Sequence, residues 1–281
     1  MSGTTGPERP AERDNRARAD GALGSITVTP PVDPLLLQEA VELVRRAGLV
    51  TLEWFGRADL SVDTKGDGTP VTEADRAAER FLREELGARF PDDSIIGEEE
   101  PERQGTSART WILDPIDGTK AFTRGVPLYA NLLALDDEHG PAIGVINIPA
   151  LGEMVAAGRG LGCTHNGQPC RVSTTTRLDA AYASTSGLDA WPRSTLDRML
   201  DTPVKLRTWG DGYGYVLVAT GRIDAMIDPI VAPYDVAPMR TVLPEAGGRF
   251  TDFDGRDLAD GGSGLATNGL LHDEFLARLQ P

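Results

Sequence analysis

The stretch Trp111-Ile112-Leu113-Asp114-Pro115-Ile116-Asp117-Gly118-Thr119-Lys120 carries most of the chemistry that can be read from this chain. An apolar, β-prone run enters a Pro-locked turn bearing two carboxylates. A strand that ends in acid-x-x-acid can aim two hard oxygen ligands at one point, which suits Mg²⁺ better than a soft metal. Gly118 and Thr119 follow with unblocked backbone N–H groups, which bind phosphate well where a helix or tight turn begins. Metal ligands beside an anion cradle point to metal-assisted phosphoryl chemistry. A solvated acidic turn, which Asp-Pro and Asp-Gly often mark, is the plain alternative.

Further acidic clusters count against that alternative. Lys65 through Asp75 forms a loop entering a helix, with Val71-Thr72-Glu73-Ala74-Asp75 at the entry. Ile96-Gly97-Glu98-Glu99-Glu100 is a short apolar run breaking into carboxylates, and Pro233-Tyr234-Asp235 opens another helix. Each has its own bland reading: Asp75 and Asp235 as first-turn acids favoured by the helix dipole, Glu98 to Glu100 as a solvated charge run. In this order, together with Glu245-Ala246-Gly247-Gly248, the pieces resemble the inositol monophosphatase family of Mg²⁺-dependent phosphatases, over roughly residues 35 to 280.

The elements that must hold these residues alternate. Apolar residues recur at helical spacing from Pro34 to Phe55 and are stopped by Gly56; Thr72 and Asp75 open a second helix with Ala78, Phe81 and Leu82 on one stripe. Strands are expected at 94–96, 110–113, 129–135 and 142–148. Helices are expected near 195–200, 213–220 and 236–245, with short strands between them and a terminal amphipathic helix at 272–279. Gly158-Arg-Gly160-Leu-Gly162 lacks the following helix of a dinucleotide loop, and Asn166-Gly167 signals a hairpin instead. Alternating helices and strands argue a layered α/β domain; the resemblance implies a five-layer αβαβα sandwich of the inositol monophosphatase/fructose bisphosphatase type. Residues 1–33, rich in Gly, Pro, Arg and acids, read as a disordered tail, leaving 34–281 as a single domain.

Composition narrows the partners. With 40% hydrophobic and 25% charged residues the chain is ordinary for a globular protein, and a net charge of −15 argues against nucleic acid or anionic membrane as partner. An acidic enzyme acting on an anion needs bound cations to invert the local field. No run approaches the ~18 apolar residues of a membrane span and no secretory signal stands out, so a cytoplasmic enzyme is expected. Cys163 and Cys170 fit no zinc pattern and read as ordinary thiols.

The resemblance also implies roles. Glu98, Asp114 and the Ile116 carbonyl would hold one Mg²⁺, and Asp114, Asp117 and Asp235 a second, in a set of two or three ions. Thr119 and Asp75 match the pair that orients the attacking water. The N–H groups of Gly118 and Thr119 would hold the phosphate, and Lys65 matches a mobile-loop lysine. Homodimers are common in the family. Thr119-Lys-Ala-Phe122, Trp209-Gly210-Asp211 and Tyr234-Asp235 look like its histidinol-phosphate phosphatase branch. An ammonium-bearing alcohol would pair with an acid in the leaving-group pocket; Asp211 and Asp228 are the candidates. Inositol or sugar phosphates, 3′-phosphoadenosine 5′-phosphate (with Lys205 and Arg207 nearby) and a catalytically silent phosphometabolite binder stand as alternatives.

Overall fold

The computed structural model describes residues 1–3, 29–66, 68–257 and 262–280. In chain order, helix α1 (Pro34–Leu52) leads to a hairpin of β1 (Val62–Thr64) and β2 (Pro70–Thr72), then α2 (Glu73–Arg89). Next come β3 (Ser94–Gly97), β4 (Thr110–Asp117), the short α3 (Thr119–Thr123), β5 (Ala130–Asp137), β6 (Gly140–Ile148), β7 (Glu153–Gly158), β8 (Gly162–His165) and β9 (Gln168–Pro169). The rest comprises β10 (Tyr182–Ser184), α4 (Arg193–Leu200), β11 (Lys205–Arg207), α5 (Asp211–Ala219), β12 (Ala225–Val231), α6 (Pro233–Val236), α7 (Met239–Glu245), β13 (Arg249–Thr251), β14 (Gly262–Thr267) and α8 (His272–Leu279).

Three apolar cores explain the layering. Strands β3 to β9 form one sheet in sequence order, and β11-β10-β12-β14-β13 form the other. The outer face of the larger sheet is covered by α1 and α2 through Leu43, Val44, Leu82, Leu86, Trp111 and Leu133. Between the sheets, α5 and α7 bury Val216, Val218, Val242 and Leu243 against Ile146, Val155 and Met226. The far face of the smaller sheet carries α4 and α8 through Met199, Phe275 and Leu279. Sheets and helices that each hide an apolar face stack in layers, and here five result, αβαβα, as the resemblance implied.

Several expectations need adjusting. The strand through Trp111 does not stop at Leu113 but carries on to Asp117 across a bulge, because Asn131 Nδ2 satisfies the Pro115 carbonyl at 2.6 Å. The helix expected over 236–245 is split into α6 and α7 around Pro238. The β1–β2 hairpin and the inner strand β14 had no sequence signal strong enough to assign. In β14, Gly264 lies where a Cβ would sit 3.0 Å from the Tyr215 hydroxyl and 3.4 Å from the Phe250 ring, so close packing selects a residue that disguises the strand. Of the tail, residues 4–28 lie outside the described residues. Residues 30–33 lie against the body: Val32 is buried, its N–H donates to Arg159 O at 3.0 Å, and Arg159 Nε donates to Pro30 O at 2.9 Å.

Candidate metal centre and substrate cavity

The bulge in β4 is what converts a strand into a ligand cluster. Asp114 pairs with Leu132 and Asp117 with Ala130, so two residues on β4 face one on β5 and the ladder bends between the two acids. Asp114 Oδ1 accepts from Ile116 N at 3.0 Å. Behind the bend, Ile116, Phe122, Tyr129 and Ala74 form a small buried core, with the Phe122 and Tyr129 rings edge-to-face at 4.8 Å. That core anchors the bulge, the start of α2 and α3 to one another.

Asp235 reaches the same place from α6, held by a hydrogen bond from Ala232 N at 2.8 Å. One oxygen from each of Asp114, Asp117 and Asp235 lies within 4.8 Å of the others. Glu98, at the end of β3, lines the same cavity and is positioned by buried Glu79, whose oxygens accept from Glu99 N at 2.8 Å and Glu100 N at 3.0 Å.

Crowding of like charges away from water raises every one of these acids. Burial, then the charges of Glu98, Asp117 and Asp235, push Asp114 well above the ordinary carboxylate range. Burial, then Asp211 and Asp235, do the same to Asp117. Burial chiefly, with Glu98, Asp211 and Asp228 adding, pushes Asp235 up to about 7. An all-oxygen set that repels itself when ionised fits a hard divalent cation, which would restore the anionic forms.

Lys65 partly supplies that positive charge, with its Nζ 2.6 Å from both Glu98 Oε1 and Glu99 Oε1. Beside the site, Asp75 Oδ2 accepts from Thr72 N at 2.7 Å and Thr72 Oγ1 at 2.5 Å, closing the capping box of α2. The other oxygen, Oδ1, lies 3.4 Å from Thr119 Oγ1, which is also 3.1 Å from Ile116 O.

Gly118 adopts φ 84° immediately before α3, and a Cβ there would lie 2.9 Å from Asp211 Oδ2. Glycine therefore serves twice: it permits the left-handed turn and admits the Asp211 carboxylate alongside the cradle. Asp211 itself has φ 54°, tolerable for Asp, and its N–H donates to Ser186 Oγ at 2.8 Å. Gly212 N donates to Asp117 Oδ2. Burial, then the Asp228 charge, raise Asp211 to about 6.

Asp228 lines the cavity but its oxygens are already engaged. Oδ1 accepts from Ser186 N at 2.8 Å and Thr185 Oγ1 at 3.3 Å, and Oδ2 from Ser186 Oγ at 3.0 Å and Tyr215 OH at 3.2 Å. It positions the wall rather than offering a free acceptor.

All these walls enclose a cavity of about 650 Å³ holding Glu98, Asp114, Asp117, Thr119, Asp211 and Asp235. Asp75 and Lys65 border the site without lining the cavity. Ser186 and Glu79 carry no signal in the sequence, where nothing distinguishes them from ordinary loop and helix polar residues. Lys205 and Arg207 do not line the cavity; they stand over the Tyr182 ring on edge strand β11.

Comparisons with known proteins agree with this geometry. The description "Inositol monophosphatase family" matches residues 35–281. The chain is 44% identical to a histidinol-phosphatase of Mycobacterium tuberculosis over 256 residues, covering 88% of this chain and 98% of that protein. It is 43% identical to a histidinol-phosphatase of Chlorobaculum parvum, covering 82% and 91%. Among solved structures, a Thermotoga maritima IMPase superposes with a TM-score of 0.80 at 33% identity, covering 87% of this chain and 96% of that one. The acid-x-x-acid strand end, its carboxylate satellites and the five layers thus have one common source: the chain belongs to the inositol monophosphatase family.

Proposed function

We propose that this chain is a Mg²⁺-dependent phosphomonoesterase that hydrolyses L-histidinol phosphate to L-histidinol and phosphate. The observation that carries the substrate is Asp211: a carboxylate held over Gly118, beside the phosphate cradle and outside the metal-ligand set. An acid there suits an alcohol bearing an ammonium group, and a neutral inositol has no charge to offer it. The identities of 43% and 44% to histidinol-phosphatases support the same substrate. For a second phosphate, as in 3′-phosphoadenosine 5′-phosphate, Lys205 and Arg207 stand outside the cavity, while Lys120 and Arg124 line it together with Asp211. The reading extends to a cytoplasmic homodimer, as is common in the family.

Glu98, Asp114, the Ile116 carbonyl, Asp117 and Asp235 would hold the Mg²⁺. When bound, the metal supplies an acidified water and charge stabilisation for the leaving oxygen. The first N–H groups of α3, at Gly118 and Thr119, have no intrahelical acceptor and hold the phosphoryl oxygens. Thr119 Oγ1, set between Asp75 Oδ1 and Ile116 O, orients the attacking water and draws its proton toward Asp75. Asp211 binds the ammonium of the leaving alcohol, while Asp228, through Ser186, keeps Asp211 in place. Lys65 balances Glu98 and Glu99 at the rim.

Phosphate release measured across histidinol phosphate, inositol 1-phosphate, 3′-phosphoadenosine 5′-phosphate and a neutral aryl phosphate tests this directly. Histidinol phosphate should give the highest kcat/KM; an equal or higher value for inositol 1-phosphate would overturn the substrate assignment.

A further inference from the structure

The two cysteines of this chain lie outside the cavity and face each other. Cys163 is on β8 and Cys170 follows β9 directly. The β8–β9 ladder pairs Thr164 with Pro169 and His165 with Gln168, and one step further sets Cys163 opposite Cys170. Cys170 N donates to Cys163 O at 3.0 Å, and the two Sγ atoms are 3.5 Å apart. Directly opposed antiparallel residues hold their Cα atoms about 4.5–5.5 Å apart, within the ~4.4–6.8 Å that a disulfide spans. Closing the sulfurs to about 2.05 Å asks for side-chain rotation rather than a new strand register.

The surroundings give the two thiols different roles. Cys163 is buried in the core between the sheets, whereas Cys170 is only half-buried at the edge of that core. The hydrogen bond between the two sulfurs draws the Cys170 thiol below its ordinary range, and the same bond with burial pushes the Cys163 thiol up. Cys170 is therefore the sulfur an oxidant meets first and in its more reactive form.

We propose that Cys163 and Cys170 form a reversible redox pair, oxidised by a peroxide to an intramolecular disulfide that staples the edge of the seven-stranded sheet. In the first step the Cys170 thiolate attacks one peroxide oxygen, the O–O bond breaks, and Cys170 becomes a sulfenic acid with hydroxide leaving. In the second, the Cys163 sulfur attacks the Cys170 sulfur, the S–O bond breaks, and the Cys163 proton leaves with the hydroxyl as water. One peroxide is reduced to two waters and two thiols are oxidised to one disulfide. A small-molecule dithiol reverses it by exchange. The structural effect is local: β9 is a two-residue edge strand hydrogen-bonded only to β8, and the bridge ties its end to the sheet.

The test uses the full-length chain, exposed to a few equivalents of hydrogen peroxide, quenched with catalase, denatured, alkylated and weighed intact. Alkylatable thiols should fall from two to none, with no gain of oxygen and no covalent dimer on a non-reducing gel, and dithiothreitol should restore both. In Cys163→Ser, which removes the resolving sulfur, the same treatment should leave Cys170 as a sulfenic acid trapped by dimedone. Oxygen added to Cys170 while Cys163 stays alkylatable, survival of both thiols in the wild type, or a disulfide-linked dimer would each overturn the proposal.

Discussion

Asp228 and Asp114 are both buried at the same cavity, 4% and 1% exposed, yet the chain treats their charge in opposite ways. Around Asp228 four protein donors converge, from Ser186, Thr185 and Tyr215. Around Asp114 the neighbours are mostly other acids, Glu98, Asp117 and Asp235, and Ile116 N is its one hydrogen-bonding backbone partner. A buried carboxylate costs several kcal/mol unless something compensates it. The wall at Asp228 finds part of its compensation inside the fold, although burial still raises its carboxyl above the ordinary range. The floor at Asp114 leaves it to a cation from outside.

The largest expected effect follows from that contrast. Asp114→Asn should lose orders of magnitude in kcat on histidinol phosphate and weaken Mg²⁺ binding measured by calorimetry. In metal-stripped protein at pH 7.5, though, the same variant should melt at a higher temperature than wild type, because one member of a self-repelling group has become neutral. A lower melting temperature there would mean that Asp114 is structural in the way Asp228 is, and the contrast would collapse.

Asp228→Asn should behave the other way. Its new NH₂ group faces hydroxyl donors that lose their acceptor, each unsatisfied group costing about 1–3 kcal/mol. We expect stability to fall by about 2–4 kcal/mol in denaturant titrations, equally with and without Mg²⁺. A loss confined to the Mg²⁺-loaded protein would move Asp228 into the metal set.

How far this contrast was legible in the sequence depends on distance along the chain. Asp114 and Asp117 share one turn, and Asp75 and Asp235 each open a helix, so short-range patterns carried them. Glu98 stood out as an apolar run breaking into acids. The donors around Asp228 come from Thr185, Ser186 and Tyr215, up to 43 positions away, and no local pattern marks them. Saturation of a carboxylate is a tertiary fact, and a sequence offers only the carboxylate. The same limit hid β14, where Gly264 reflects close packing against Tyr215 and Phe250. The layered α/β class was more accessible, because helices and strands alternate along the chain, whereas the order of the five layers came from the family resemblance.

Asp211 lies between the two cases, with a modest set of partners and a neighbour, Asp228, that repels it. Asp211→Asn should raise KM for histidinol phosphate by about one to two decades, the worth of a charge-assisted hydrogen bond of ~1.5–3 kcal/mol. The neutral aryl phosphate should keep its kcat and KM, since no metal ligand is altered. Because Asp211 is raised to about 6, wild-type KM for histidinol phosphate should also climb as pH falls below 6, and Asp211→Asn should flatten that climb. Equal losses on both substrates would make Asp211 a wall residue like Asp228.

The smallest effect, and the one that compares the two regions without mutation, is the pH dependence of stability. Asp235 is raised from an ordinary 3.8 to about 7, and Asp114 and Asp117 lie well above the same starting point. Between about pH 4 and 7 the folded, metal-free chain therefore holds protons that the unfolded chain has released. More protons bound when folded means that stability falls as pH rises through this window. Buried His272, hydrogen-bonded through both ring nitrogens to Thr251 and Thr267, opposes the trend. Burial lowers it to about 4, so the unfolded chain binds its proton first and stability falls as pH drops from about 6.5 to 4. One histidine stands against those three carboxylates and the other raised acids of the site, Asp75, Glu98, Glu99, Asp211 and Asp228, which leaves a net decline toward neutral pH in metal-stripped protein. Saturating Mg²⁺ should keep the ligand carboxylates ionised when folded and cancel their share, leaving the smaller contributions of Asp211 and Asp228 against the opposite slope of His272. Melting temperatures should thus fall from pH 4.5 to 7.5 without metal and fall clearly less with it. Parallel curves in the two conditions would show that the acids at Asp114 are compensated from within, as at Asp228.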